Sequence, residues 1–314
     1  MGLVSILITG VNAVVTKYRS IEDQPTIALS TFKHLSSSSN QPLAPATTPH
    51  TTMYLRAIHA EPHIPTLRRL IQQTPLGISI TAYDPSALSK PITTGPSNPP
   101  ARIHTTHLPW VFVVDDEQSE TELGTLKAHM ARQNPQAKVL LDLAGASGSG
   151  DSSLEQEEVC VIFTSPADHY ISPSFYVESK PKDGKVVPTW DYASVAAYGF
   201  LKVHGDKSDR TSDYLDTQLD ELTDRSERKF GPHGEEGTGW KVEDAPKGYT
   251  EQLKRAIIGI ELKVTRLEGK WKMSQESGEK DRQGVVDGLR RLGEGKAGDV
   301  ADVVEERSSS GKKV

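Results

Sequence analysis

Apolar and polar positions alternate with a period of two through much of the middle of this chain. Leu76-Gly77-Ile78-Ser79-Ile80-Thr81 shows the pattern, and Ala256–Leu267 repeats it through Ile258, Ile260, Leu262 and Val264. This is the signature of strands with one buried face. Apolar segments at Arg102–His107, Trp110–Val114, Thr125–Met130, Glu158–Thr164 and Tyr192–His204 are predicted as further strands. The Ala256–Leu267 strand is expected to turn at Gly269 and resume through Trp271-Lys272-Met273.

A period of 3.6 replaces this alternation in a few places. Ile64, Leu67, Leu70 and Ile71 share one face of a helix predicted over Glu61–Gln73, with Pro62 and Pro65 near its start. Leu215, Leu219 and Leu222 do the same within Tyr214–Lys229, and a last helix is predicted over Asp281–Leu292. Residues 84–100 carry five prolines and read as a loop, as do the polar residues 231–247. Gly145, Gly148 and Gly150 lie in the Gly/Ser tract Ala144–Ser153. Their spacing does not match a dinucleotide-binding loop and no helix is expected after them, so the tract reads as a flexible connection. Many strands with few helices between them predict a predominantly β fold with peripheral helices, of the α+β kind. No internal repeat is visible.

Composition adds domain limits. Hydrophobic residues make up 35% of the 314 and charged residues 25%, with a mean hydropathy of -0.47. Residues 34–52 are rich in Ser, Thr and Pro. Residues 1–52 are expected to be a disordered or targeting extension, 53–292 the folded domain, and 293–314 a disordered tail. The apolar start, Met1–Val15, is too short and too interrupted to span a bilayer and lacks the basic opening of a secretory signal. No membrane association is expected. The lone Cys160, in an apolar strand segment, reads as a small packed side chain. With one cysteine and no Asn-x-Ser/Thr sequon, a cytoplasmic location is expected, with an organelle reached through the N-terminal extension as the alternative.

Charge narrows the partners. The formal net charge is -6, and neither a basic face nor a helix-turn-helix is visible. Direct DNA binding is therefore not expected. His104, His107, His129 and His169 match no metal-ligand spacing, so no metal site is expected.

The stretch Thr105–Pro135 concentrates Thr106, His107, Trp110, His129, Arg132 and Asn134 around strand-like segments. Such donors suit a phosphate and a polar heteroaromatic ring. His169-Tyr170-Ile171-Ser172-Pro173-Ser174-Phe175-Tyr176, Val187-Pro188-Thr189-Trp190-Asp191-Tyr192 and Lys270-Trp271-Lys272-Met273-Ser274-Gln275 mix aromatic, hydroxyl and cationic groups in the same way. Thr-His-Leu-Pro, His-Met-Ala-Arg-x-Asn-Pro, Tyr-Ile-Ser-Pro-Ser-x-Tyr, Val-Pro-Thr-Trp-x-Tyr and Lys-x-Ser-Gln together resemble the PaiB-type family of FMN-binding split-barrel proteins. Bacterial relatives in that family are labelled transcriptional regulators.

The resemblance implies a six-stranded antiparallel split barrel, a homodimer, and flavin sites at the subunit interface. It implies Arg132 on the FMN phosphate with His129 beside it, at a strand-to-helix turn whose helix N-terminus adds backbone donors. Thr106, His107, Asn134, Ser172 and Ser174 would serve the polar parts of the cofactor. Tyr176 and Trp190 would cover the ring, and Lys272, Ser274 and Gln275 would come from the partner subunit. Glu276 stands where the family commonly has Asn; a carboxylate repels phosphate, so that motif is expected to face the ring or a protein partner. The function implied is FMN binding with flavin-dependent oxidoreductase chemistry on a small-molecule substrate. One alternative is a non-catalytic regulatory protein acting through a partner; another is haem binding or degradation, with His107 or His129 as axial ligand.

Overall fold

The computed structural model describes residues 52–93, 99–146, 153–232, 239–246 and 248–310, all within a compact unit spanning His50–Val314. The expectation for residues 1–52 falls, except for Thr52, outside the described residues, as does most of the Ala144–Ser153 tract.

The strands are β1 (Ala60–Glu61), β2 (Leu76–Ala82), β3 (Ile103–Pro109), β4 (Val111–Val113), β5 (Thr125–Ala131), β6 (Ser153–Thr164), β7 (His169–Ile171), β8 (Thr189–His204) and β9 (Ile257–Lys272). All pairs are antiparallel, in the order β3-β2-β6-β8-β9-β5-β4, with β1 added on β9 and β7 on β8. The two ends of that path, β3 and β4, are separated in sequence by Trp110 alone, so the sheet has to curl back towards its own edge. Alternation decides which side is inside: on β5, Leu126, Ala128 and Met130 are buried in the core while Lys127 and His129 face outwards.

The predominantly antiparallel sheet with peripheral helices agrees with the sequence reading. Six implied strands become nine because three short strands, two residues at β1 and three each at β4 and β7, are added. Gly269 is not a turn: β9 runs straight through it, paired with Val195 of β8 and Glu61 of β1. At the bulge between Tyr198 and Gly199 the strands approach so closely that a Cβ on Gly199 would lie 2.0 Å from the Lys263 carbonyl oxygen. Only glycine fits there.

The helices are α1 (Ile64–Gln73), α2 (Pro135–Ala146), α3 (Ser179–Asp183), α4 (Asp209–Phe230), α5 (Tyr249–Lys254), α6 (Glu279–Arg290) and α7 (Lys296–Ser310). Two of them correct the sequence reading. Residues 296–310, expected in a disordered tail, form α7, because Ala297, Val300, Ala301 and Val304 are buried and the helix packs on α6. Helix α2, absent from the periodicity and implied only by the resemblance, begins at Pro135 and buries Ala137, Val139 and Leu140.

Arg68 shows how α1 organises its surroundings. It is 1% exposed, and its guanidinium donates to the carbonyls of Glu117 at 2.8 Å and Glu122 at 3.0 Å, fastening the loop after β4. Arg68→Ala removes a fully buried side chain and frees the loop carbonyls it holds, so a loss of about 3 kcal/mol is expected. Urea unfolding with an unchanged slope and a lower midpoint checks it.

Candidate functional site

The motif residues fall into three neighbourhoods. The first is the turn from β5 into α2. Asn134 caps the helix: its Oδ1 accepts from the Gln136 amide at 2.9 Å, and Pro135 supplies the first helical residue without needing a donor. The Asn134 Nδ2 donates to Thr106 Oγ1 on β3 at 3.0 Å, so two expected site residues meet at the N-terminus of α2. Beneath them Gln136, 1% exposed, donates through Nε2 to Thr81 Oγ1 at 3.0 Å. Its Oε1 and the neighbouring His104 Nε2 are buried without a hydrogen-bond partner among the described residues. His107 is exposed on β3, paired in register with Ile78.

Arg132 does not join this group. Its backbone bonds to Ala256, and its side chain turns to the β8–β9 side, where it donates to the carbonyls of Gly205 at 2.9 Å and Ile257 at 3.2 Å. The fork expected on a phosphate thus ties the end of β8 to the start of β9.

His129 forms the second neighbourhood. It lies on the outer face of β5 under α4, where its Nδ1 pairs with Oε1 of the fully buried Gln218 at 2.7 Å. Beside it Lys127 bonds Glu221 at 3.2 Å, and Tyr214 donates to the Ile260 carbonyl at 2.6 Å. Expected at a cofactor, His129 instead docks a helix, because strand alternation sends it out of the barrel.

The third neighbourhood lies where β7, β8 and the end of β9 meet. Trp190 is 55% exposed, and the Tyr170 ring meets it edge-on with centroids 6.3 Å apart. Ser172 and Ser174 bond to one another at 2.8 Å, and Ser172 Oγ accepts from the Ser174 amide, fixing the turn through Pro173. Under Trp190 sits Asp191, 0% exposed. It accepts from Ser274 Oγ at 2.6 Å and pairs with Lys272 Nζ at 3.3 Å. Lys272 also donates to the Trp190 carbonyl at 2.9 Å and reaches Glu276 at 3.5 Å, and Glu276 bonds the buried His59 at 3.0 Å.

Ser274 holds φ at 56°, a left-handed conformation that L-residues avoid, and its bond to Asp191 sits at that strained position. Gln275 bonds only its own turn, accepting from the Met273 amide and donating to the Trp271 carbonyl, each at 2.6 Å. Burial holds the Asp191 carboxyl above the ordinary carboxylate range, outweighing the opposing pull of Ser274 and Lys272. Burial also pushes Glu276 up, but its own backbone amide, His59 and Lys272 prevail and leave it below the usual range. Burial, and then the charges of Asp191, Glu276 and Asp281, raise the half-buried Tyr176 phenol.

Asp191, His59 and Glu276 were not selected by sequence reasoning as site residues. A carboxylate between two aromatics, at a strand position whose neighbours alternate outwards, was the available signal for Asp191. The first and third neighbourhoods lie at opposite ends of β9. Fifteen residue steps separate Ile257 from Lys272, roughly 50 Å of strand path.

A family model described as "putative FMN-binding domain" matches residues 53–266. An uncharacterized protein of Emericella nidulans is 44% identical over 261 residues, covering 81% of this chain and 97% of its own length. The chain belongs to this family. The Bacillus subtilis protease synthase and sporulation protein PAI 2 is 27% identical over 202 residues, 64% of this chain and 80% of its own, in keeping with the PaiB-type resemblance. The flavocytochrome Anf3 of Azotobacter vinelandii is 12% identical, covers 74% of this chain and 78% of that one, and superposes with a TM-score of 0.36, too slight a likeness to carry an inference. The family span includes Thr106, Asn134 and Trp190 but stops before Lys272–Gln275. Among the described residues no group of His, Cys, Asp and Glu is arranged to hold a metal ion, and no helix is long and apolar enough to cross a membrane.

The donors at the β5–α2 turn suit a phosphate: a hydroxyl, an amide and the N-terminus of a twelve-residue helix. The exposed Trp190 with Tyr170 suits the flat apolar face of a flavin ring.

Proposed function

We propose that this chain binds FMN between two copies of itself and uses it as a redox centre. The observation that carries the reading is the separation of the two motif groups. A phosphate-type donor set stands at one end of the β8–β9 pair and an aromatic wall at the other, and a second copy would bring one chain's wall to the other's donors. The family match supports the cofactor, and a two-fold arrangement would complete two equal sites.

In this reading Thr106 and Asn134 hold the phosphate at the positive end of the α2 dipole. Arg132 sets the turn from which Asn134 projects by bridging Gly205 and Ile257. Trp190 covers the ring, with Tyr176 and the Ser172 and Ser174 hydroxyls near the ring edge and ribityl chain. Lys272, Ser274 and Gln275 position this wall: Lys272 holds the Trp190 carbonyl, Ser274 anchors Asp191, and Gln275 closes the turn that presents Ser274. Bound FMN supplies hydride or electron transfer, and the protein supplies orientation and electrostatics for a small-molecule redox substrate.

Purified protein is expected to show the visible flavin bands and to release FMN on denaturation. Thr106→Ala combined with Asn134→Ala is expected to weaken FMN binding about tenfold or more, the loss of two phosphate hydrogen bonds. Flavin fluorescence titration measures it. A colourless protein that takes up no added FMN would sink the reading.

A further inference from the structure

Between the end of β8, the first turn of α4 and the segment leading into β9 lies a cavity of about 630 Å³. That is large enough for a small metabolite. Four cations line it, Arg132, Lys207, Lys254 and Arg255, against two carboxylates, Asp206 and Glu251. The lining is thus net +2 (4 − 2) in a chain whose formal charge is -6.

The two carboxylates and the buried lysine are already satisfied. Lys254 bonds Asp216 at 2.6 Å, Glu251 at 2.8 Å and Ser212 Oγ at 3.2 Å. Asp206 accepts from the Ser208 amide and hydroxyl and from Thr211 Oγ1; hydrogen bonds from Ser208 and Thr211 hold its carboxyl below the usual range. Ser208 caps α4 by accepting from the Thr211 amide, so the helix end is closed by its own residues.

Lys207 and Arg255 differ. Both are exposed, and neither finds an acceptor among the described residues. Two free cations on the rim of one cavity repel each other, and an anion seated between them turns that repulsion into attraction. Arg132 adds a third guanidinium or ammonium group whose terminal nitrogens are fixed by the Gly205 and Ile257 carbonyls. Ser212 Oγ, which accepts from Lys254, keeps its own hydrogen to donate. The buried Leu215 is an apolar part of the lining, and no aromatic side chain contributes to it.

We propose that this cavity binds a small molecule through a dianionic phosphate group, held by Lys207, Arg255 and Arg132 with a hydroxyl from Ser212. The free Arg255 fork matches two phosphate oxygens at once, Arg132 adds its charge, and the two unneutralised cations match a double negative charge. The site is separate from the flavin phosphate at Thr106 and Asn134 and does not depend on that reading.

The test is titration of the full chain with inorganic pyrophosphate, followed by calorimetry, in parallel with Lys207→Ala/Arg255→Ala. Both residues are exposed, so the double variant is expected to fold and to keep its FMN uptake. The parent is expected to bind saturably, about tenfold or more tighter than the double variant, and more weakly as salt rises. Lys180→Ala/Lys182→Ala on the distant α3 surface is expected to bind like the parent. The proposal is overturned if the parent shows no saturable binding, if the Lys207/Arg255 variant binds equally well, or if citrate binds as tightly as pyrophosphate. It is equally overturned if saturating FMN displaces pyrophosphate, since the cavity would then be the flavin's own phosphate pocket.

Discussion

Asp191→Ala is expected to lower the stability of the domain by about 3–5 kcal/mol, the cost of removing one partner from a buried charged network. Asp191 is fully buried, and its two oxygens hold Ser274 Oγ and Lys272 Nζ. Truncation leaves an ammonium group pairing only with the Trp190 carbonyl and the more distant Glu276. It also removes the hydrogen bond made by Ser274 at its left-handed φ of 56°. Asp191→Asn keeps the shape and one acceptor for Ser274, so its cost is expected to be only about 1 kcal/mol at neutral pH.

The pH dependence separates the two forms of the side chain. Burial raises the folded-state Asp191 carboxyl above its unfolded value. A group shifted that way contributes stability that is complete below the unfolded pKa and is lost as pH rises through the folded pKa. The asparagine variant has no such titration. The advantage of the parent over Asp191→Asn is therefore expected to be largest in acid and to shrink towards neutrality. Urea midpoints at several pH values measure that difference; a gap independent of pH would show that Asp191 does not titrate differently on folding.

Much of the fold was legible because period-two alternation survives wherever one strand face is buried. It placed β2 and the start of β9 within a residue of their observed limits, while apolar composition placed β3, β5 and β8 within three. Alternation failed where the burying surface is supplied from far away. Helix α7 shows a weak apolar face of alanines and valines, and its order comes from α6 and from Arg307, which reaches Glu61 and lies over the Trp271 ring. Helix α2 is announced by Asn134-Pro135, a cap followed by an N1 proline, and by the strand-to-helix turn that the resemblance implies; periodicity alone does not show it.

The sequence offered candidate residues one by one, and which of them meet was not legible in it. Thr106 and Asn134 meet because β3 and the start of α2 are neighbours, a relation set by the curl of the whole sheet. Arg132 and Asn134 stand two residues apart and point to different neighbours, Arg132 to Gly205 and Ile257, Asn134 to Thr106. His129 is claimed by Gln218, eighty-nine residues away on α4. No local spacing reports such pairings.

Mixing two defective chains is expected to rebuild flavin binding. Asn134→Ala damages the phosphate end of the proposed site, and Trp190→Ala damages the ring end. Each variant alone is expected to bind FMN about tenfold or more weakly, from lost phosphate hydrogen bonds in one and lost aromatic contact in the other. If every site joins the phosphate end of one copy to the ring end of the other, a mixed dimer has one doubly damaged site and one intact site. Random association of equal amounts makes about half of the dimers mixed, so about one quarter of all sites recover parental affinity. Co-expression with two different tags, followed by flavin titration below the variants' dissociation constants, measures that fraction. If both ends belonged to one chain, every site in the mixture would carry one lesion and no high-affinity fraction could appear. The 16-residue length of β9 makes the two outcomes far apart, since Arg132 and Asn134 stand near its Ile257 end and Trp190 beside its Lys272 end. Recovery would therefore establish both the dimer and the division of labour between its copies.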